Sequence, residues 1–470
     1  MDYDCFVDRM SGVDAGFWFL HEANPVFVGA VIEVETGASG RVLGVDDLRS
    51  LVARRAGRLK PLFKTVWVPP LGLGIPYWLD AGSPDLDLHV VQYEGEVASL
   101  TDVEAITGSF LAEDLPLGVP AWQLMLVGAG PSKSYILAKV HHALLDGQLG
   151  MELLGGLLDL SEHESEVDEV GVMSPSVPPS DLIEGIILSV GDLLERRIPA
   201  LLSLPGRVRI FFSDRDRQRD ELVRSMVPLG APRCEISGSI SKRREARMLS
   251  CEFSEFSKLA EAFSATINEI LLAWVAGALR KYHLQRGAQI EVDLVALVPI
   301  STRHVTDLGE SRNRISGMLV RLETSEAETK RRVRDTVLAA RLAKEIADAV
   351  GPGFLLALAD VVASPFLGAL VGMANRRRLF DSIGSAFNLT VSNLSGLELD
   401  LYVSGHRVIS VTPFGPISDG AGLNLTVFTY LGMLHLGLLC CPEVVSDPDL
   451  LIDCLTEELA DLVLAAATVS

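Results

Sequence analysis

Residues 26–34, VFVGAVIEV, form an apolar and β-branched run that predicts a strand. Residues 134–140, SYILAKV, predict another. Between 149 and 158 the apolar residues fall at 149, 153, 154, 157 and 158, the spacing of one helix face. A strand therefore runs into a helix, and the junction reads KVHHALLDGQLG over 139–150. The second half repeats the mixed pattern. Residues 256–283 predict two helices separated near 264–266, residues 291–300 a buried strand, and residues 423–440 a hairpin turning at 430–432. No short-period repeat is present.

Between these halves the pattern changes. Residues 163–179 turn acidic and then Pro/Ser-rich, as an exposed linker does. Residues 181–204 resume as an apolar helix broken at Pro199, and the alternating charges of 207–221 read as a solvated face. This divides the chain into an N-terminal domain over 1–160, a crossover region with an amphipathic helix over 161–235, and a C-terminal domain over 236–470. One segment, 353–374, is long and apolar enough to span a bilayer on length alone, and Arg376, Arg377 and Arg378 follow it. Asp360, Pro365 and several glycines interrupt it. An interfacial helix anchored by the arginines and a buried core helix both fit better than a true span.

Composition narrows the class. The chain has 470 residues, 48% of them apolar, enough for two or three domains with a large core. A formal net charge of −21 argues against general nucleic-acid binding and against attachment to anionic lipid by charge alone. The six cysteines form no CxxC pair and read as free thiols of a reducing compartment. The N-terminus lacks a positive start followed by an apolar run, so no secretory signal is expected.

The junction carries the chemistry. His141, His142, Asp146 and Gly147 form an HHxxxDG pattern. Each residue has an ordinary explanation: core histidines, an Asp capping the helix, a Gly relaxing a tight turn. Together they arise by chance in about one chain in a thousand of this length. Consecutive strand residues face opposite ways, so one imidazole serves a cavity while the other serves the structure. Asp146 and Gly147 then hold the turn that fixes the working ring. No third ligand lies nearby for a metal site. A histidine titrating near neutrality suits general-base work on an alcohol, amine or thiol. With no GxSxG elbow and no cysteine in a nucleophile setting, the base activates the acceptor directly and no acyl-enzyme forms.

At these residues the chain resembles the CoA-dependent acyltransferase superfamily, and within it the bacterial wax ester synthase/diacylglycerol acyltransferase family. The resemblance runs nearly end to end. It includes residues 10–35 with Ser11 and Asp14, PAWQLMLV at 120–127, the helix 265–283 with Asn268, LVPISTR at 297–303, residues 312–324, LTVSNLSG at 389–396 and the closing hairpin. The chain departs from the pattern at Glu269, where the family has Asp, at Arg312, where it has Gly, and at Leu394-Ser395-Gly396, where a turn-setting proline is missing.

The resemblance implies an α/β fold of two chloramphenicol-acetyltransferase-like domains, each a mixed sheet with helices, and an active-site tunnel between them. It implies acyl-CoA as a substrate, no further cofactor and no metal, with a diacylglycerol or long-chain alcohol as acceptor. His142 becomes the general base and His141 its structural neighbour. Asn268 becomes a candidate oxyanion donor, with a helix N-cap as its ordinary reading. Asp146 turns away to pair with Arg303, while Asn393 and Gly396 give structural support. Lys242, Arg243 and Arg244 are candidates for the CoA phosphates, as are the arginines after 374. Trp122, His435 and His21 read as packing. The expected setting is cytoplasmic, peripheral on a membrane or lipid inclusion, and a homodimer is compatible with the sequence. Two other readings stay open: a non-catalytic lipid-binding or inclusion-coat protein on the same fold, and a related transferase that condenses carrier-bound thioesters.

Overall fold

A computed structural model describes residues 8–21, 23–36, 40–70, 74–116, 118–144, 150, 154–162, 175–176, 182–199, 201–202, 230–288, 291–301, 315–350 and 365–468. The first half contains β1 (Asp8–Arg9), α1 (Gly12–Leu20), β2 (Phe27–Glu35), α2 (Val45–Arg54), β3 (Lys64–Trp67), β4 (Tyr77–Asp80), α3 (Leu86–His89), β5 (Val90–Gln92), α4 (Leu100–Ala112), β6 (Trp122–Gly128) and β7 (Lys133–His141). Next comes α5 (Leu182–Asp192), which continues through a wider π turn at Leu193–Arg197. The second half contains β8 (Glu245–Glu252), α6 (Phe253–Ala262), α7 (Ile267–Gln285), β9 (Leu294–Ser301), β10 (Ile315–Leu322), α8 (Thr329–Val350), α9 (Pro365–Arg376), α10 (Phe380–Ile383), β11 (Leu389–Leu397), β12 (Tyr402–Val403), β13 (His406–Phe414), β14 (Leu423–Tyr430), β15 (Met433–Cys440) and α11 (Pro448–Ala466).

Two six-stranded sheets organise the molecule, in the orders β12-β13-β2-β7-β6-β5 and β10-β9-β11-β14-β15-β8. Both are mixed. β5 joins β6 in parallel, and β11 runs parallel to both β9 and β14. The predicted strand at 26–34 is β2, and the predicted strand at 134–140 is β7. They pair antiparallel from Phe27↔His141 to Glu35↔Lys133. The predicted hairpin turns where Leu431 and Gly432 both take positive φ, the backbone that matches the twist of two antiparallel strands. The two helices read from 256–283 meet at Ser264, also at positive φ, and bend by 99°. Together they have the length and composition of a span, but α7 is buried among β-strands and helices of the second lobe. No single described helix is long and apolar enough to cross a membrane.

The sequence division at 161–235 does not separate the sheets. β12 and β13 lie inside 236–470, yet they join the first sheet through β2, from Phe414↔Gly29 to Val408↔Val34. Periodicity could not foresee this, because a strand's pattern is silent about which sheet it enters. The two sheets then touch at β13 and β15. A side chain at Gly437 would run into the Pro413 carbonyl. α4 is wedged into the same seam. A methyl at Gly108 would stand 2.6 Å from the Arg244 carbonyl oxygen just before β8, and the buried Glu104 accepts the Met248 N–H at 2.8 Å.

Two ion pairs among the described residues are almost wholly buried. Arg55 at the end of α2 donates to Asp159 at 2.5 Å and to the Leu157 carbonyl at 2.7 Å. Arg332 of α8 meets Glu458 of α11 at 2.6 Å. A buried charge left without its partner destabilises by about 3–5 kcal/mol. Each pair therefore fixes the relative position of its elements.

If the seam at Gly437 requires a bare backbone, Gly437→Ala should lower stability by at least about 2 kcal/mol. Urea denaturation with the midpoint read by circular dichroism checks this.

Candidate active site

The site is built from α1 and the end of β7. Ser11 caps α1 by accepting the Asp14 N–H at 3.0 Å, and the Asp14 carboxylate takes the Ser11 N–H in return. This reciprocal cap fixes where the helix starts, and with it the rings it projects. Phe17 stacks on His142 with centroids 4.0 Å apart, and Trp18 tilts against His141 at 5.1 Å. The far side of α1 meets the second lobe, where a side chain at Gly368 of α9 would strike the Phe19 carbonyl.

His141 ends β7 and is buried. Its Nδ1 accepts the Ala143 N–H at 3.0 Å, which puts the ring proton on Nε2. Nε2 has no hydrogen-bond partner among the described residues. Burial holds its pKa well below the usual 6.5, and the neighbouring His21 and His142 push the same way. His141 is therefore a neutral, fixed ring. His142 lies one residue on, at the start of a turn, and is only half-buried. Its N–H donates to the Val26 carbonyl at 2.9 Å.

His21, read from sequence as packing, belongs to this cluster. Its ring lies 4.8 Å from that of His141, its Nδ1 accepts the Val26 N–H at 3.3 Å, and its Nε2 faces Asp114 at 3.4 Å. Asp114 also receives Lys242 at 2.7 Å. No sequence signal identified this. His21 lies far along the chain from His141 and His142, and its partners come from other elements brought together by the fold. The loop it braces is tied to the second lobe, because Asn24 donates to Asp419 at 2.8 Å. Burial raises the Asp419 carboxyl to about 6, against hydrogen bonds from Ile240 and Asn24.

The remaining predicted residues lie on other elements. Asn268 is exposed near the start of α7 and accepts from the Asn393 amide of β11 at 2.5 Å. It is not the N-cap. Thr266 caps α7, and Glu269 completes the box by accepting the Thr266 N–H at 2.7 Å. Glu269 also reaches Arg341 at 2.9 Å, so the longer acid in place of Asp serves the cap and a cross-helix ion pair. Gly396 sits at an irregularity of β11 where a methyl would lie 2.7 Å from the Thr429 carbonyl oxygen. Close approach, rather than flexibility, requires glycine there. Lys242 and Arg243 are exposed and paired with Asp114 and Glu443. Arg244 is buried instead, donating to the Ser241 and Arg243 carbonyls, with its pKa lowered to about 10 by burial. Trp122 is buried and stacks on His89 at 4.6 Å. Asp146, Gly147 and Arg303 lie outside the described residues. No cluster of three metal-ligating side chains occurs among the described residues.

Two mixed sheets joined at a seam, with a histidine pair ending a central strand, define an α/β acyltransferase architecture. The model of the wax ester synthase/diacylglycerol acyltransferase catalytic domain matches residues 10–271, and that of the family's C-terminal domain matches 312–463. The chain belongs to this family. A putative diacylglycerol O-acyltransferase of Mycobacterium tuberculosis is 25% identical over 455 residues, covering 94% of this chain and 87% of its own. The wax ester synthase/diacylglycerol acyltransferase of Marinobacter aquaeolei VT8 superposes with a TM-score of 0.67 at 20% identity, over 98% of this chain and all of its own. A trichothecene 15-O-acetyltransferase from Fusarium sporotrichioides shares the fold with a TM-score of 0.59 at 13% identity, over 97% and 94% of the two chains.

Ser11→Ala removes the α1 cap and should cost about 1 kcal/mol, with a fall in turnover larger than that loss of folded protein explains. Thermal melts and initial rates on the same preparation test this. His435, buried between β15 and β8, accepts from or donates to Ser250 at 2.9 Å, and burial lowers its pKa to about 4. It is neutral in the fold but takes a proton below 6.5 when unfolded, so its contribution is lost as pH falls from about 6.5 to about 4, roughly 3 kcal/mol. His435→Gln should flatten the dependence of melting temperature on pH across that window.

Proposed function

We propose that this chain transfers a long-chain acyl group from acyl-CoA to the hydroxyl of a diacylglycerol or long-chain alcohol, with His142 as general base. The family sets the reaction class: an acyltransferase acting on an acyl-CoA and a lipid acceptor. The observation that carries the residue assignment is the contrast between the two histidines. His141 has its Nδ1 committed to Ala143 and is held neutral by burial. His142 is half-open, with its backbone pinned to Val26 and its ring laid flat on Phe17.

The chemistry follows from those positions. His142 takes the acceptor's hydroxyl proton as its oxygen attacks the thioester carbonyl carbon. The C=O π electrons move to oxygen and form a tetrahedral oxyanion. As the oxyanion collapses, the C–S bond breaks, and the thiolate leaves with the proton held on His142, as free CoA. The oxyanion needs a donor. Asn268 is our candidate, since the Asn393 amide occupies its side-chain oxygen and orients its NH2. Lys242 and Arg243, exposed at the rim of the second lobe, are candidates for the CoA phosphates. The names of the mycobacterial relatives favour diacylglycerol as acceptor.

We place the enzyme in the cytoplasm, resting on a membrane or lipid-inclusion surface. Along α5 and its extension, Ile183, Ile187, Leu194 and Leu202 are 65%, 64%, 59% and 74% exposed, on one stripe. Leu370 and Met373 add an exposed apolar face on α9, with Arg376 and Arg377 exposed beside it. Such faces favour hydrophobic, local attachment, as the chain's negative charge requires.

His142→Ala should lower CoA release from palmitoyl-CoA plus diolein or hexadecanol by about 10²–10⁴-fold; wild-type turnover would remove the mechanism. Thin-layer separation of the labelled products assigns the acceptor. Replacing Ile187 and Leu194 together by Asp should shift the protein off neutral phosphatidylcholine vesicles in flotation, and unchanged flotation would refute attachment through α5.

A further inference from the structure

His21 joins two backbone positions of the site that no motif connects. Its Nδ1 accepts the Val26 N–H at 3.3 Å, and the carbonyl of the same Val26 accepts the His142 N–H at 2.9 Å. The Val26 residue thus carries a hydrogen-bonded line from one imidazole to the backbone of the other. The His21 ring also lies against His141 and, edge-on, against Phe27 at 5.0 Å. Its second nitrogen faces Asp114. Both nitrogens are committed within the protein, so His21 does not meet substrate.

We propose that His21 is a positioning residue for His142, acting through Val26 and competent only as the neutral imidazole. The proposal rests on His142 being the base. The reason is stereochemical. Neutral His21 carries its proton on Nε2, toward Asp114, and offers a lone pair on Nδ1 to the Val26 N–H. Protonated His21 has hydrogens on both nitrogens, so an N–H would oppose the Val26 N–H and that brace is lost. Asp114 pulls the other way, since its carboxylate favours the protonated ring.

The groups facing His21 are Asp114 after α4, Lys242 before β8, and Lys139 and His141 of β7. Burial lowers its pKa below 6.5, Asp114 raises it, and Lys242 and Lys139 lower it. Asp114 is shared between His21 in the first lobe and Lys242 in the second, so the balance at His21 depends on a contact across the seam.

Four variants separate this from simple packing. His21→Phe keeps a ring but offers no acceptor, and should lower kcat about 10-fold with KM nearly unchanged. His21→Asn returns an acceptor oxygen near Nδ1 and should recover most of that loss, with the acid-side fall of the pH profile moved. Asp114→Asn should move that fall to lower pH, and Lys242→Gln should move it to higher pH, because one change removes the group that favours the proton and the other removes a group that opposes it. Melting temperatures on each variant exclude misfolding, and the two surface changes keep the test available if His21→Phe fails to fold. His142→Ala is measured alongside. If it is inactive while the His21 variants match wild type and the two pH shifts are absent or share one sign, the positioning role is overturned and the base assignment stands. If His142→Ala is active, both fall.

Discussion

A carbonyl oxygen standing where a side chain would otherwise be holds the two lobes together. Pro413 of β13 lies against Gly437 of β15, with α4 filling the seam beside them. Everything at the site depends on that contact. β13 belongs by hydrogen bonding to the first sheet and by sequence to the second half, so moving it shifts β2, the Val26 peptide and both histidines. The burial of the seam is mostly apolar, from Phe27, Val31, Phe110, Phe414 and Leu439, and such packing loses stability steeply when shapes stop matching.

Much of the fold was legible in the sequence because local chemistry decided it. β2 and β7 are apolar runs with β-branched residues, and the hairpin at Leu431 and Gly432 carries its own turn signal. The break between α6 and α7 was legible for a similar reason, since Ser and Thr favour helix ends. The Thr266-x-x-Glu269 pattern was a capping signature in plain sight, and it corrects the reading of Asn268 as a cap. What could not be read were partnerships at long range. Nothing near residues 402–414 points to β2. His21 looked like any histidine in an apolar context, because its meaning lies in Val26, Asp114 and Lys242, brought together only by the fold. Arg244 looked like a surface cation beside Lys242 and Arg243, yet its guanidinium turns inward to its own loop.

The site also illustrates how one strand end serves two opposite needs. In the mechanism proposed above, the base must exchange protons near neutrality, while the ring beside it must not add a second charge. Strand alternation meets both by sending His141 into the core and leaving His142 at the turn.

The return of β13 to the first sheet also has a bearing on synthesis. During translation β2 has β7 on one flank and nothing on the other until residues 406–414 emerge. For most of the time on the ribosome, an apolar strand edge therefore stands open to pairing with other nascent chains. A fragment ending before β13 would keep that exposed edge permanently, so shortened forms of this protein should aggregate even where every residue of the histidine motif is present.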